Sequence, residues 1–91
     1  MRAIFLACIC ICTLPPSAVA ADDAMVAAGG ALFADLCADC HGADATDGEA
    51  GDIRRLPASI VSNATQGFEM MPAFDLAPDE ITAIAAWLAK I

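Results

Sequence analysis

Residues 37–41 read Cys37-Ala38-Asp39-Cys40-His41, and this pentapeptide decides how the rest of the chain is read. Cysteines three apart on a helical turn can add both thiols across the two vinyl groups of one porphyrin, with the following imidazole placed to ligate the iron. The run reads as a c-type haem attachment site, with Cys37 and Cys40 as anchors and His41 as one axial ligand. Two other chemistries use this cysteine spacing. A thiol–disulfide redox pair belongs beside a βαβ pattern, which this sequence lacks. A structural zinc ion needs two further Cys or His ligands, and His41 is the only histidine.

Upstream, Arg2 precedes an apolar run over 3–14, followed by Pro15-Pro16-Ser17 and the small residues Ala18-Val19-Ala20-Ala21. That order is the pattern of an export leader. An apolar run of about a dozen residues falls short of the roughly 20 that a spanning helix needs, so no stable membrane insertion is expected. Cleavage is expected after Ala20, leaving 21–91 as one domain. The leader takes three of the five cysteines with it. Haem attachment outside the cytoplasm fits an exported chain, and a periplasmic location is expected.

Without the leader, three cations (Arg54, Arg55, Lys90) face twelve acidic residues, a formal charge of −9. Nucleic acid and anionic membranes repel such a surface, and a partner with a basic docking face suits it. Roughly 70 residues bury little apolar surface on their own. A covalent haem would supply the missing core, so folding and cofactor binding are expected to be coupled.

The layout reads as all-α, three to four helices around one haem. Asp22-Asp23 start a first helix in which Ala28, Leu32, Phe33 and Leu36 recur at helical spacing up to Cys37. Gly29-Gly30 inside it costs about 1 kcal/mol per glycine relative to alanine, which implies a bare side closely approached by another element. A polar loop over 43–52 is expected to wrap the haem while staying in water. Pro57 suits the first turn of a short helix over 57–66, with Ile60, Val61 and Ala64 on its buried side and Gly67 as its stop. The stretch 67–74 is non-helical but rich in large apolar residues. Pro78, Asp79 and Glu80 then open a helix with Ile81, Ile84, Ala85, Leu88 and Ile91 on one face. No strands are expected.

With one histidine, the second axial ligand falls to a methionine thioether, which also raises the reduction potential. Met71 is the choice, because Pro72 holds it extended so that a loop can present sulfur to the haem. Met70 should then turn away into the loop's own packing. Arg54 and Arg55 are suited to the two haem propionates, and Ile53, Leu56, Phe68 and Phe74 are candidates for packing on the ring.

The combination of Gly29-x-x-x-Phe33, Cys37-Ala-Asp-Cys40-His41-Gly42, Met71-Pro72-Ala73-Phe74 and a last helix carrying Trp87 resembles the small bacterial class I cytochromes c over nearly the whole mature chain. The resemblance implies that the first helix crosses the last at Gly29, Phe33 and Trp87, that Arg54 meets a propionate, and that the iron is held by His41 and Met71. The chain departs from that pattern at Gly51-Asp52, where relatives have Gly-Pro. The proline carbonyl there accepts a hydrogen bond from the ligand histidine, and here a backbone carbonyl near 50–52 is available to take its place. With both axial positions filled, the expected function is one-electron transfer as a monomeric or weakly associating carrier, not an enzyme. A fixed subunit of a larger oxidoreductase, and a haem peroxidase or gas sensor, are the alternatives.

Overall fold

The computed structural model describes residues 18–91. All but the last three positions of the expected leader fall outside the described residues. Among the described residues, no helix is long and apolar enough to cross a membrane.

Helix α1 spans Ala18–Leu36. It begins four residues ahead of Asp22-Asp23, because Ala18-Val19-Ala20-Ala21 supplies mostly strong helix-forming residues and no stop. Helix α2, Ala38–His41, follows after a single break at Cys37. Helix α3 covers Ala58–Thr65, a residue shorter at each end than the expected 57–66, with Pro57 as its N-cap. Helix α4 covers Pro78–Lys90. Its first turn is closed by the Ala77 N–H, which donates to Glu80 Oε1 at 2.8 Å. This is half a capping box, since alanine offers no oxygen for the reciprocal bond.

The expectation of no strands is corrected by a two-stranded antiparallel hairpin, β1 (Gln66–Phe68) and β2 (Met71–Ala73), with Gln66 opposite Ala73 and Phe68 opposite Met71. Each strand is three residues long, too short for a period-two pattern to show, and Pro72 argues against a strand except at an edge. A two-stranded sheet has only edges, so Pro72 is tolerated. Phe74 N–H then donates to the Thr65 carbonyl at 2.7 Å, fastening the base of the hairpin to the end of α3. Met70 does not pack inside the loop as expected. It occupies the two-residue turn, where nothing lies over it, and is 86% exposed.

Helices α1 and α4 form the frame. A Cβ on Gly29 would collide with the Ala83 carbonyl, and one on Gly30 would stand 2.7 Å from the Trp87 indole nitrogen. The two backbones therefore approach at Gly29, while Gly30 makes room for a ring. Phe33 and Trp87 lie against each other with centroids 4.6 Å apart and planes tilted by 32°, a geometry favourable to aromatic pairs. Phe33, Val61, Ile84 and Leu88 are the large apolar residues of the core.

The loop after α2 is more ordered than its polarity suggests. Asp47 N–H donates to the His41 carbonyl at 2.9 Å and Ile53 N–H to the Ala45 carbonyl at 2.9 Å. Ala45 is fully buried, so this part of the loop belongs to the core rather than to water. Arg55 N–H donates to the Leu88 carbonyl at 3.0 Å, satisfying an orphan acceptor in the last turn of α4.

Gly29→Ala is expected to destabilise the protein by about 2 kcal/mol, because backbone rather than a mobile side chain blocks the new methyl. Gly51→Ala meets nothing within 4 Å but has φ +71°, so its cost is limited to about 1 kcal/mol of left-handed strain. Met70→Ala should stay within about 0.5 kcal/mol. Thermal unfolding of the three variants in parallel gives this order.

Candidate functional site

Cys37 is the joint on which the site is built. Its N–H closes α1 by donating to the Phe33 carbonyl at 2.8 Å, and its own carbonyl accepts from Cys40 N–H at 3.2 Å and His41 N–H at 3.0 Å. One tight turn thus holds both thiols and the imidazole on a single stretch of backbone. The two cysteines are free thiols, Cys37 half-buried and Cys40 exposed. Burial raises the Cys37 thiol above its usual pKa, and the neighbouring Cys40 adds to the effect, so Cys37 is held as the neutral thiol.

Beside this turn opens a cleft, with about 660 Å³ of non-atom space of which part is open to solvent. Phe33, Val61, Ile84 and Leu88 from the core line it, with Ile53 and Leu56 from the loop and Phe68 from β1. Cys37, His41 and Met71 line it too. Three chain segments far apart in sequence therefore meet on one cavity. Met70, at the turn, is not among the lining residues, and neither are Phe74, Arg54 or Arg55.

Three observations test whether the cleft fits a haem. The lining is hydrocarbon, sulfur and one imidazole, apart from Thr65, whose buried hydroxyl is already satisfied by donating to the Val61 carbonyl at 2.8 Å. Ile60 and Phe68 line the cleft yet remain 44% and 57% exposed. Ile60, expected on the buried side of its helix, faces a cleft that a flat apolar group would cover. Finally, His41 Nδ1 is buried with no hydrogen-bond partner. A buried imidazole nitrogen left unpaired in apolar surroundings is costly in a self-sufficient core, so the chain's own bonds leave the ring of His41 incompletely satisfied at the cleft. The residues present fit the group. Among the described residues, no three His, Cys, Asp or Glu side chains converge as around a bare metal ion.

The acceptor expected for His41 among the carbonyls near 50–52 is not engaged, since Nδ1 has no partner. Arg54 is committed elsewhere. Its Nε donates to Asp52 Oδ1 at 2.9 Å, its Nη2 to Oδ2 at 2.7 Å, and its backbone N–H to Oδ1 at 2.9 Å. Sequence reasoning misses this pair, although an aspartate bonding the backbone two residues on is the signature of an Asx turn. Thr65 is missed as well, because a threonine on an amphipathic helix reads as surface until its hydroxyl is seen bonded back one turn.

The Arg54 side-chain bonds, with its backbone N–H next, lower the Asp52 pKa from 3.8 to about 2. A carboxyl more acidic in the folded chain favours folding when ionised: its contribution is complete above about pH 4 and disappears as the pH falls toward 2. A carbon-detected NMR titration should find the Asp52 midpoint near 2 and return it to the ordinary carboxylate range in Arg54→Gln.

The family model described as Cytochrome C oxidase, cbb3-type, subunit III matches residues 24–88, from the first helix to the last turn of α4. No curated protein and no solved structure matches the chain. The matched span contains the cysteine–histidine turn, the cleft and the hairpin that borders it, and by this match the chain belongs to that family as a small monohaem cytochrome c of the class I kind.

Proposed function

We propose that the protein is an exported, periplasmic one-electron carrier with a single covalent haem c, and that it is not an enzyme. The observation that carries this reading is that Cys37, His41 and Met71 line one apolar cleft. Cys37 and Cys40 would hold the haem through thioethers, and His41 and Met71 would supply ligands to its iron. When bound, the haem supplies exchange of one electron between Fe(II) and Fe(III). With His41 and Met71 both holding the iron, no ligand position would be left for substrate, which argues against peroxidase or gas-sensing activity.

The chain's own residues do the rest. The turn from Cys37 to His41 fixes the ligand imidazole relative to both thiols, which restricts how the group can sit. Ile53, Leu56 and Phe68 would pack on the bound group and shield it from water, and a low local dielectric favours the less charged oxidation state. The hairpin register sets Met71 on the cleft and Met70 outside it. Arg54 would meet a propionate only by sharing its guanidinium with Asp52. The acidic surface steers a basic redox partner toward a small, weak interface and disfavours nucleic acid. A monomer or weak associate suits that role.

A second reading has its own support. The matching family is described as an oxidase subunit, so the same domain can serve as a fixed electron-input module of a larger complex. Co-purification with a large subunit at stoichiometric yield would favour it over the diffusing carrier.

Met71→Ala is expected to lower the reduction potential, abolish the near-infrared sulfur-to-iron band of the oxidised protein and admit carbon monoxide rapidly to the reduced one. Met70→Ala should leave all three unchanged. Loss of the band in the Met70 variant and its survival in the Met71 variant would reverse the ligand assignment, and a properly matured protein without colour would end the reading.

A further inference from the structure

We propose that Asp52 is a positioning residue for His41: pinned by Arg54, it keeps the Gly51 carbonyl from accepting a hydrogen bond from His41 Nδ1, and so holds the reduction potential of the bound haem high. The inference rests on the ligation proposed above and names the residue that tunes it.

Both halves of an unmade hydrogen bond stand at this site. His41 Nδ1 is buried and has no partner. Ala50 lines the cleft together with His41, so the segment that follows Ala50 brings its carbonyls toward the ring. Among the described residues, the carbonyls of Ala50, Gly51 and Asp52 accept no hydrogen bond. An imidazole that binds a metal through one nitrogen carries its proton on the other, and an acceptor for that proton makes the ring a stronger donor to the metal.

The backbone bonds of the loop single out one of the three carbonyls. The Ala50 carbonyl shares its peptide with the Gly51 N–H, which donates to the Gly48 carbonyl at 3.0 Å. The Asp52 carbonyl shares its peptide with the Ile53 N–H, which donates to the Ala45 carbonyl at 2.9 Å. Both planes are therefore fixed. The peptide between them, with the Gly51 carbonyl at one end and the Asp52 N–H at the other, is bonded at neither end among the described residues. Gly51 is thus the acceptor with freedom to turn.

Swinging that carbonyl requires Gly51 to rotate about ψ and Asp52 about φ together. Gly51, at φ +71°, has no side chain to resist and nothing within 4 Å of where a Cβ would stand. Asp52 does resist. Its carboxylate accepts from the Arg54 N–H at 2.9 Å, from Nε at 2.9 Å and from Nη2 at 2.7 Å, so the side chain cannot move aside for a passing carbonyl. The side-chain bonds from Arg54, with its backbone N–H next, also lower the Asp52 pKa to about 2, which keeps the carboxylate ionised and the pin in place near neutral pH.

The test compares Asp52→Ala with Asp52→Asn in the matured holoprotein. Asparagine loses the charge but still accepts from the Arg54 N–H, whereas alanine removes the pin. The pair is exposed, so neither change endangers the fold; unchanged thermal unfolding and an unchanged near-infrared band check this. In nitrogen-detected NMR of the reduced protein, Asp52→Ala should move the His41 ring N–H downfield and slow its exchange about tenfold, the worth of one net hydrogen bond. Its midpoint potential should fall. Asp52→Asn should leave the ring proton as it is and raise the potential, because loss of a negative charge alone disfavours the ferric state. The two variants thus move the potential in opposite directions, which a purely electrostatic or purely structural role of Asp52 does not produce. An unaltered ring proton in Asp52→Ala, or a potential that rises in both variants, would overturn the proposal. A matured protein without colour would instead defeat the haem reading beneath it.

Discussion

The close approach of α1 and α4 at Gly29 is the constraint on which the rest of the structure depends. Only a residue without a Cβ lets the Ala83 carbonyl come this near, and that contact fixes where Phe33 meets Trp87 one turn further on. Phe33, Ile84 and Leu88 then form the inner wall of the cleft. Since α1 runs through the break at Cys37 into the turn carrying His41, the same crossing also positions the chemical groups against that wall. Two glycines that weaken the isolated helix thus become the means by which the domain acquires a defined cavity.

The cavity accounts for what the fold lacks by itself. A domain this small buries only about 60% of the surface of its unfolded chain, and here part of the apolar surface that is ordered still faces an open cleft at Ile60 and Phe68. A flat apolar group seated there would complete the core as well as bring redox chemistry, so stability and function would draw on one set of contacts. The elements bordering the cleft are correspondingly secured by backbone bonds: Arg55 to Leu88, Ile53 to Ala45 and Phe74 to Thr65.

Much of this is legible in the sequence wherever the signal is local. The five residues from Cys37 to His41 lie within one turn, so their spacing carries their geometry directly. The last helix announces itself through Pro78, Glu80 and the apolar repeat to Leu88, since its stripe is long enough to define a period. The glycines of α1 are legible too, because glycine inside a helix calls for a neighbour. The hairpin is not, because three-residue strands show no alternation and Pro72 points the other way. Nor is the burial of Ala45, a small residue in a polar loop whose environment is set by segments distant in sequence.

The sequence by itself determined the cysteine–histidine turn, the helical framework and the need of a small, acidic chain for something to complete its core, because each follows from neighbours within a few residues or from composition. The tertiary structure set Met71, the methionine Pro72 singles out, on the cleft, and it alone decided that Met70 stands exposed at the turn, that Arg54 is held by Asp52, and that His41 Nδ1 lacks an acceptor. The physical reason is that strand register, loop path and the solvation of a buried nitrogen are properties of the packed whole. A shift of one residue in the hairpin would exchange the two methionines without altering a single local preference.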